Sequence, residues 1–353
     1  MAGEAPTASF GPSLVLSDGE LSALEVAFDL GGMRETPIHL ADGLMNPNWR
    51  LSTGRGQFAL KRVIDVPVEI ARRNLHVIGL LAREGIPVCA PVPSTSGDLV
   101  VEVGEHGYSL FPWVAGNHVR GTALTLTQAE ELGALLGRIH RSLNMLPGEA
   151  GLPGLPPKVR ASVEAPETAL AEADRFACII RAKNTADAFD ERVLEFVEQR
   201  KVLVNKYAGT RPPDDAPQGP LGWTHGDYHH LNMIWRDGQV AAVLDWDRIR
   251  VQPLAAEVTR SAMLLFALDV GPLDLRRVTA FVSGYRRESP VTVAELADAV
   301  ERLWWTRMCD FWQLVFHYDR CNHTTDHLFF SATALLHWWS DHRQEVQAAF
   351  AVA

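Results

Sequence analysis

The stretch His225-Gly226-Asp227-Tyr228-His229-His230-Leu231-Asn232, with Asp245-Trp246-Asp247 beginning thirteen residues beyond Asn232, decides the reading of this chain. Between the two lie the apolar runs 233–235 and 240–244, separated by Asp237-Gly238. Asp-Gly between apolar runs signals a two-residue hairpin turn, because both turn positions favour positive φ. The turn pairs Trp235 with Val240, and counting back pairs Asn232 with Val243. Strand side chains alternate, so Asn232 and Asp245 are expected on one face as diagonal neighbours, roughly 7–8 Å apart. Two oxygen donors at that separation suit a hard cation that also binds phosphate oxygens. Asp227 falls in the loop just before, available to a substrate.

Phosphoryl transfer asks for this set: a carboxylate for the attacking hydroxyl, and an Asn and an Asp for the magnesium on the nucleotide phosphates. Asp227 precedes Asn232 by five residues, as the Asp precedes the Asn in a protein-kinase catalytic loop. A His-Gly-Asp loop followed by a strand ending in Asp-Trp-Asp resembles the aminoglycoside phosphotransferase family, the small-molecule branch of the kinase-like fold. Choline kinases and type II homoserine kinases are relatives. The resemblance runs from about Pro37 to about Glu257. It implies an α+β, protein-kinase-like fold in two lobes. Residues 1–112 would form a small nucleotide-binding N-lobe of mixed β-sheet. Residues 113–353 would form a larger, mostly helical C-lobe carrying the catalytic loop and the substrate-binding helices.

Bulk properties agree. The chain has 353 residues, 47% apolar and 22% charged, enough for a large core and more than one lobe. A net charge of −10 argues against nucleic acid as the main partner. Cys89, Cys178, Cys309 and Cys321 are scattered and form no CxxC pair, as expected of reduced structural thiols. The N-terminus lacks the basic and apolar regions of a signal peptide, and no run of eighteen apolar residues occurs. A soluble, cytoplasmic protein is expected, with residues 1–12 loose.

A helix is expected over 21–30, with Ser17 or Asp18 as its cap. Strands follow over 37–40, 48–51 and 56–64, then a helix over 67–83 with Asp65 as a possible cap, ended by Gly85. Further short strands are expected over 88–92, 99–103 and 108–111. From Thr127, read as a capping box with Glu130, helices dominate.

Candidate site residues follow in the order of the chemistry. Asp227 is the expected catalytic base. Asn232 and Asp245 are the expected Mg²⁺ ligands, and Asp247 either touches a second metal or caps the next segment. The resemblance implies that the ring of His225 holds the loop. His229 borders the substrate and His230 packs. The run His-Gly-Asp-Tyr-His-His has the composition of a dinuclear zinc site, but its order is not the His-x-His-x-Asp-His of a metallo-β-lactamase-like hydrolase. Lys61, in an N-lobe strand before a helix, is the phosphate lysine that the resemblance implies. Its carboxylate partner is expected near position 74, where Asn74 carries no charge, so Glu69 is the substitute. The stretch 43–48, including Asn48, resembles the family's nucleotide-covering turn. The connector near 110–114, with Phe111 and Trp113, would contact the purine. The stretch 304–312 reads as core or as a substrate wall, with Trp305 and Asp310 facing the ligand. His317, Tyr318 and Asp319 are further candidates.

The resulting expectation is a kinase using ATP or GTP with Mg²⁺ to phosphorylate a small-molecule hydroxyl. The acceptor is expected to be an antibiotic, giving resistance or self-protection. The alternatives are a primary metabolite such as homoserine, choline or a sugar, or a nucleotide-binding pseudokinase.

Overall fold

The computed structural model describes residues 15–40, 46–146, 148, 150–159, 163–214 and 217–352. The loose segment expected at residues 1–12 lies outside them. Two compact units emerge. One comprises Met1–Gly116, Ala150–Leu152 and Val240–Asp247; the other comprises Asn117–Glu149, Pro153–Gln239 and Arg248–Ala353.

The first unit opens with α1 (Asp18–Ala27), where Ser17 accepts from the Glu20 amide and the Glu20 side chain returns the bond. This reciprocal cap supplies two of the otherwise orphaned helix-terminal groups. Five strands follow: β1 (Ile38–Leu40), β2 (Asn48–Thr53), β3 (Gly56–Val63), then, after α2 (Val68–Arg83), β4 (Val101–Val103) and β5 (His106–Pro112). They form one antiparallel sheet in the order β1-β2-β3-β5-β4. Alternation along the strands buries Trp49, Leu51, Leu60, Tyr108 and Leu110 against Leu24 of α1 and Phe28 just after its end. Arg62 is buried on the same face of β3 as Leu60. Its Nε donates to the Tyr108 hydroxyl at 3.0 Å and a terminal nitrogen donates to Glu20 at 3.2 Å. Lys61 therefore points from the opposite face, directly across from Asn48 of β2.

Two expectations for this unit need correction. Asp65 does not cap α2, which starts after Pro67 with no side-chain cap. Proline fixes φ for a helix start and has no amide hydrogen to satisfy. Residues 88–92 form no strand; Val88 and Val92 make isolated bridges, to Val243 and Leu110.

The second unit is mainly helical. Its elements are α3 (Leu126–Met145), α4 (Pro166–Arg181), α5 (Ala188–Tyr207), β6 (Leu221–Thr224), β7 (Met233–Arg236), the start of β8 (Gln239–Val243), β9 (Arg250–Pro253), α6 (Leu254–Phe266), α7 (Leu275–Glu288) and α8 (Val293–Cys309). A short helical turn α9 (Trp312–Leu314), α10 (Asp326–Asp341) and α11 (Arg343–Phe350) complete it. The cap of α3 is Thr125 with Gln128, two residues before the expected pair; the Thr125 hydroxyl, not that of Thr127, meets the third amide of the helix. Helices α3 and α7 cross in backbone contact. A Cβ at Gly133 would lie 1.8 Å from the Phe281 carbonyl, and one at Gly284 would lie 1.9 Å from the Glu130 carbonyl. Only glycine allows that approach. Strands β6 and β9 pair antiparallel, with Thr224 opposite Arg250, and so bring the chain to His225.

The two strands and the Asp-Gly turn expected after Asn232 are present, with Asp237 at φ 51° and Gly238 at φ 78°. Asn232 and Asp245, expected as neighbours on strands, both lie outside them. Asn232 closes a 3₁₀ turn, His230–Asn232, and Asp245 follows the end of β8 in the left-handed region, at φ 57°. Neither side chain is placed by strand alternation.

Candidate active site

In the first unit the site is built around Lys61. Its ammonium lies 2.9 Å from Asp245 and 2.6 Å from Asp247. Trp246, between them, is buried and donates its indole N–H to the Val243 carbonyl at 3.0 Å. With the indole anchored in the core, the two aspartates turn together toward Lys61. The left-handed backbone at Asp245 costs on the order of 1 kcal/mol or more for a residue with a Cβ, and such strain concentrates at functional sites. Burial opposes the Lys61 charge, but the two carboxylates outweigh it and raise its pKa. Burial raises the Asp247 pKa, with Asp245 adding to the rise and Lys61 opposing it. Two carboxylates share one ammonium, and the excess negative charge with hard oxygen donors fits a divalent cation of the magnesium type.

The expected role of Glu69 is corrected: it pairs with Arg72 at 2.6 Å on the exposed side of α2, and Asp245 and Asp247 serve Lys61 instead. Asn74 has a different task. It is buried, and its amide nitrogen donates to the carbonyls of Trp246 and Asp247, both at 3.0 Å. The neutral side chain thus fastens the segment that carries the carboxylates. Asn46 adds a second tie, donating to Asp247 at 2.7 Å while accepting from the amides of Ile64 and Asp65. Of the expected nucleotide-covering turn, residues 43–45 lie outside the described residues. Asn48 donates to the Asn46 carbonyl. Phe111 stands opposite Ala59 at the end of β5, and the Trp113 ring lies 4.7 Å beneath the Arg50 guanidinium.

In the second unit the loop from His225 to Asn232 is held from below by Glu257 of α6. This buried carboxylate accepts from the amides of His225, at 3.0 Å, and Gly226, and from His140 Nε2 at 2.6 Å. His140 Nδ1 in turn meets the Tyr285 hydroxyl at 2.8 Å. Burial would raise the Glu257 pKa, but His140, His225 and the Gly226 amide outweigh it and keep the carboxylate ionised. Gly226 has φ 86°, and a Cβ there would sit 2.0 Å from the Arg248 carbonyl. The ring Nδ1 of His225 accepts the Asp227 amide at 3.2 Å.

Asp227 projects among three side chains. Arg260, one helical turn beyond Glu257, lies 2.9 Å from one carboxylate oxygen; His229 lies 3.3 Å from the other. Asn232 donates to the Asp227 carbonyl at 2.9 Å and meets His229 Nε2 at 3.2 Å. Its amide nitrogen is thereby committed, leaving the amide oxygen to offer a cation. Burial opposes ionisation of Asp227, but His229 and Arg260 overcome it and hold the pKa well below the usual range. His230 packs beside this group, and burial lowers its pKa to about 4.

Within the aromatic stretch, Trp305 takes the core reading and not that of a substrate wall. Trp305 is fully buried and donates to the Glu164 carbonyl at 2.9 Å. Asp310 pairs with Arg307 at 2.7 Å and accepts the Trp312 amide at 3.0 Å. Tyr318 and Asp319 are engaged by Asp190 and Arg175. Sequence reading missed Asn46 as a side-chain tie, and Glu257, His140 and Arg260 altogether. Their partners lie far away in the chain, and no local motif announces them.

Comparison with known proteins gives three kinds of match. The model of the Phosphotransferase enzyme family matches residues 38–291. A homoserine kinase from Pseudomonas aeruginosa is 29% identical over 305 residues, covering 83% of this chain and 86% of its own. A spectinomycin phosphotransferase in complex with ADP and spectinomycin superposes with a TM-score of 0.61 at 17% identity, covering 94% of this chain and 96% of its own. An amicoumacin kinase in complex with AMP-PNP and Ca²⁺ superposes with a TM-score of 0.59 at 18% identity, covering 93% and 92%. These two share the kinase-like fold of an N-terminal sheet region followed by a mainly helical remainder.

Proposed function

We propose, from the premise that this chain belongs to the phosphotransferase enzyme family, that it transfers the γ-phosphate of ATP or GTP to a hydroxyl of a small molecule, with Mg²⁺, in the cytoplasm. The observation that carries the reading is the single ammonium of Lys61 between the carboxylates of Asp245 and Asp247. A nucleotide triphosphate would bring phosphate oxygens for Lys61 to position, and charge neutralisation on those oxygens is the chemistry a bound Mg²⁺ would supply. Asp245 and Asp247 are the residues of the first unit that would hold a cation, and Asn232 is proposed as a cation ligand from its place in the loop motif. Asn48, Phe111 and Trp113 are proposed to border the nucleotide.

Asp227 receives the acceptor hydroxyl. Its lowered pKa makes it a weak proton acceptor but keeps it ionised, so its main work is to orient the hydroxyl by hydrogen bonding. A loose phosphoryl-transfer transition state asks little of a base until late, which agrees with that division of labour. His225 holds the Asp227 amide, and His229 borders the acceptor.

Two acceptor classes are carried. One is an antibiotic, as in the spectinomycin and amicoumacin kinases that share the fold. The other is a hydroxyl-bearing primary metabolite, as in the homoserine kinases among the sequence relatives. A specific observation favours the second. Arg260 stands against Asp227, at 2.9 Å from its carboxylate. A guanidinium beside the hydroxyl-orienting carboxylate suits an acceptor with a carboxylate of its own and repels a polycation.

The test is phosphate transfer from ATP and GTP, each with Mg²⁺, to L-homoserine, choline, sugars and a panel of aminoglycoside, macrolide and nucleoside antibiotics. Turnover abolished in Asp227→Ala is the expected result, and failure to bind either nucleotide overturns the reading. Turnover with an antibiotic but with no carboxylate-bearing acceptor removes the preference for the second class.

A further inference from the structure

A second chemical cluster lies in the helical unit, apart from the phosphotransfer residues, and His317, a substrate candidate in the sequence, is one of its members. His317 belongs to a π-helical turn, Val315–Asp319, directly after α9; π-turns recur at functional positions. The chain leaves that turn, passes Cys321 in the left-handed region at φ 50°, and enters α10 at Asp326. His317, His323 and Asp326 converge there. His317 Nδ1 lies 2.9 Å from Asp326 Oδ2, His323 Nδ1 lies 3.3 Å from the same oxygen, and the two Nδ1 atoms are 3.1 Å apart.

With Asp326 ionised, protons alone satisfy this triangle poorly. Each ring nitrogen has a single in-plane site, filled by either a proton or a lone pair. If both nitrogens carry protons and donate to the carboxylate oxygen, two N–H groups face each other at 3.1 Å. If one is unprotonated, its lone pair faces an ionised carboxylate oxygen, and that edge is repulsive unless Asp326 itself takes up a proton. A cation among the three atoms resolves all three edges. Donors held 2.0–2.1 Å from a tetrahedral zinc ion are about 3.3 Å from one another. The observed separations fall at or just under that value.

The surroundings fit a metal centre. His317 is 8% exposed, and its ring stacks on Phe189 with centroids 4.4 Å apart, which fixes its orientation. The other Asp326 oxygen, Oδ1, is buried with no hydrogen-bond partner. A buried carboxylate oxygen without a partner is costly unless a cation compensates the charge. His323 is 64% exposed, so the fourth coordination position is open to water from that side.

From this geometry we infer that His317, His323 and Asp326 form a site for a divalent transition cation of the zinc type, separate from the phosphotransfer residues. Two imidazoles and one carboxylate favour zinc over magnesium or calcium, which take oxygen donors alone. The ion ties the π-turn to the first residue of α10 and closes the intervening loop, so its role is to rigidify this part of the helical unit.

The experiment uses the full chain without a histidine tag, stripped with a chelator and titrated with zinc against a chromogenic competitor. One equivalent is expected to bind tightly and to raise the thermal midpoint. His323→Ala, chosen because the side chain is exposed and dispensable for packing, is expected to fold with an unchanged apo midpoint. It should bind zinc at least about 10- to 100-fold more weakly, a loss produced even by removing outer-shell partners of a metal, and should lose the zinc-dependent stabilisation. Cobalt in place of zinc should give a tetrahedral-type visible spectrum in the wild type alone. Equal zinc affinity in the wild type and His323→Ala overturns the site. So does loss of the zinc with Asp245→Asn instead, which would assign the ion to the carboxylates around Lys61.

Discussion

Replacing Glu257 by glutamine changes one oxygen into an amide nitrogen in a place where every partner is a donor. In the native protein the carboxylate accepts from the His225 amide, the Gly226 amide and His140 Nε2. Glutamine can turn its oxygen to the His225 amide and His140, but its NH₂ then faces the Gly226 N–H. One buried donor is left unpaired, at about 1–3 kcal/mol. The two remaining bonds drop from charge-assisted to neutral, a loss of roughly 1 kcal/mol each. The expected total is about 3–5 kcal/mol, a large share of the roughly 5–15 kcal/mol that stabilises a domain. Urea unfolding of the full chain, followed by the fluorescence of its ten tryptophans, measures the stability change. Steady-state phosphate transfer measures how far the Asp227 loop has been released. The midpoint should fall and kcat should fall with it, because Glu257 is the floor of that loop. A stability within about 0.5 kcal/mol of wild type would refute the reasoning, since it would mean that the buried amides do not depend on the carboxylate.

Three further outcomes are expected. Asp227→Asn should lower kcat by about 10²- to 10⁴-fold with little change in nucleotide affinity, because the amide keeps the shape but cannot accept the hydroxyl as a carboxylate does; isotope transfer from labelled ATP checks it. Asn74→Ala removes the donor that the carbonyls of Trp246 and Asp247 share, so the nucleotide KM should rise and the first unit should lose about 1–3 kcal/mol, read by nucleotide titration and thermal melting. Glu20 gives a pH signature: burial opposes its ionisation, but Tyr108, Ser17 and Arg62 lower its pKa from 4.5 to about 2. A carboxylate with a depressed folded pKa stabilises the fold above its unfolded pKa and loses that contribution as pH falls from about 4.5 toward 2. Melting temperatures between pH 6 and pH 3 should therefore converge for wild type and Glu20→Gln at the acid end, and a constant gap between them would contradict the assignment.

The chain by itself determined what depends on neighbours in sequence. The apolar spacing of residues 68–83 makes an amphipathic helix wherever it is placed, Ser17 with Glu20 makes a cap, and Asp237-Gly238 makes a turn with positive φ. Asp227 and Asn232, five residues apart in one loop, and the Asp-Trp-Asp after β8 were legible because their chemistry is written in a short motif. Tertiary structure decided the rest. The partners of Lys61 lie 184 and 186 residues further on, and nothing near Lys61 predicts that aspartates, not Glu69, neutralise it. Asn74 looked like a missing charge and proved to be a donor for the Asp247 segment, a role visible only once α2 and that segment are in contact. Glu257 and Arg260 resemble any pair of charges on a helix until α6 sets one against the loop amides and the other against Asp227. Trp305 could have faced a ligand or the core, and burial chose the core. Local propensity fixes elements, whereas the hydrogen bonds and ion pairs that aim functional side chains close over long sequence separations. Their energies depend on what the completed fold excludes from water.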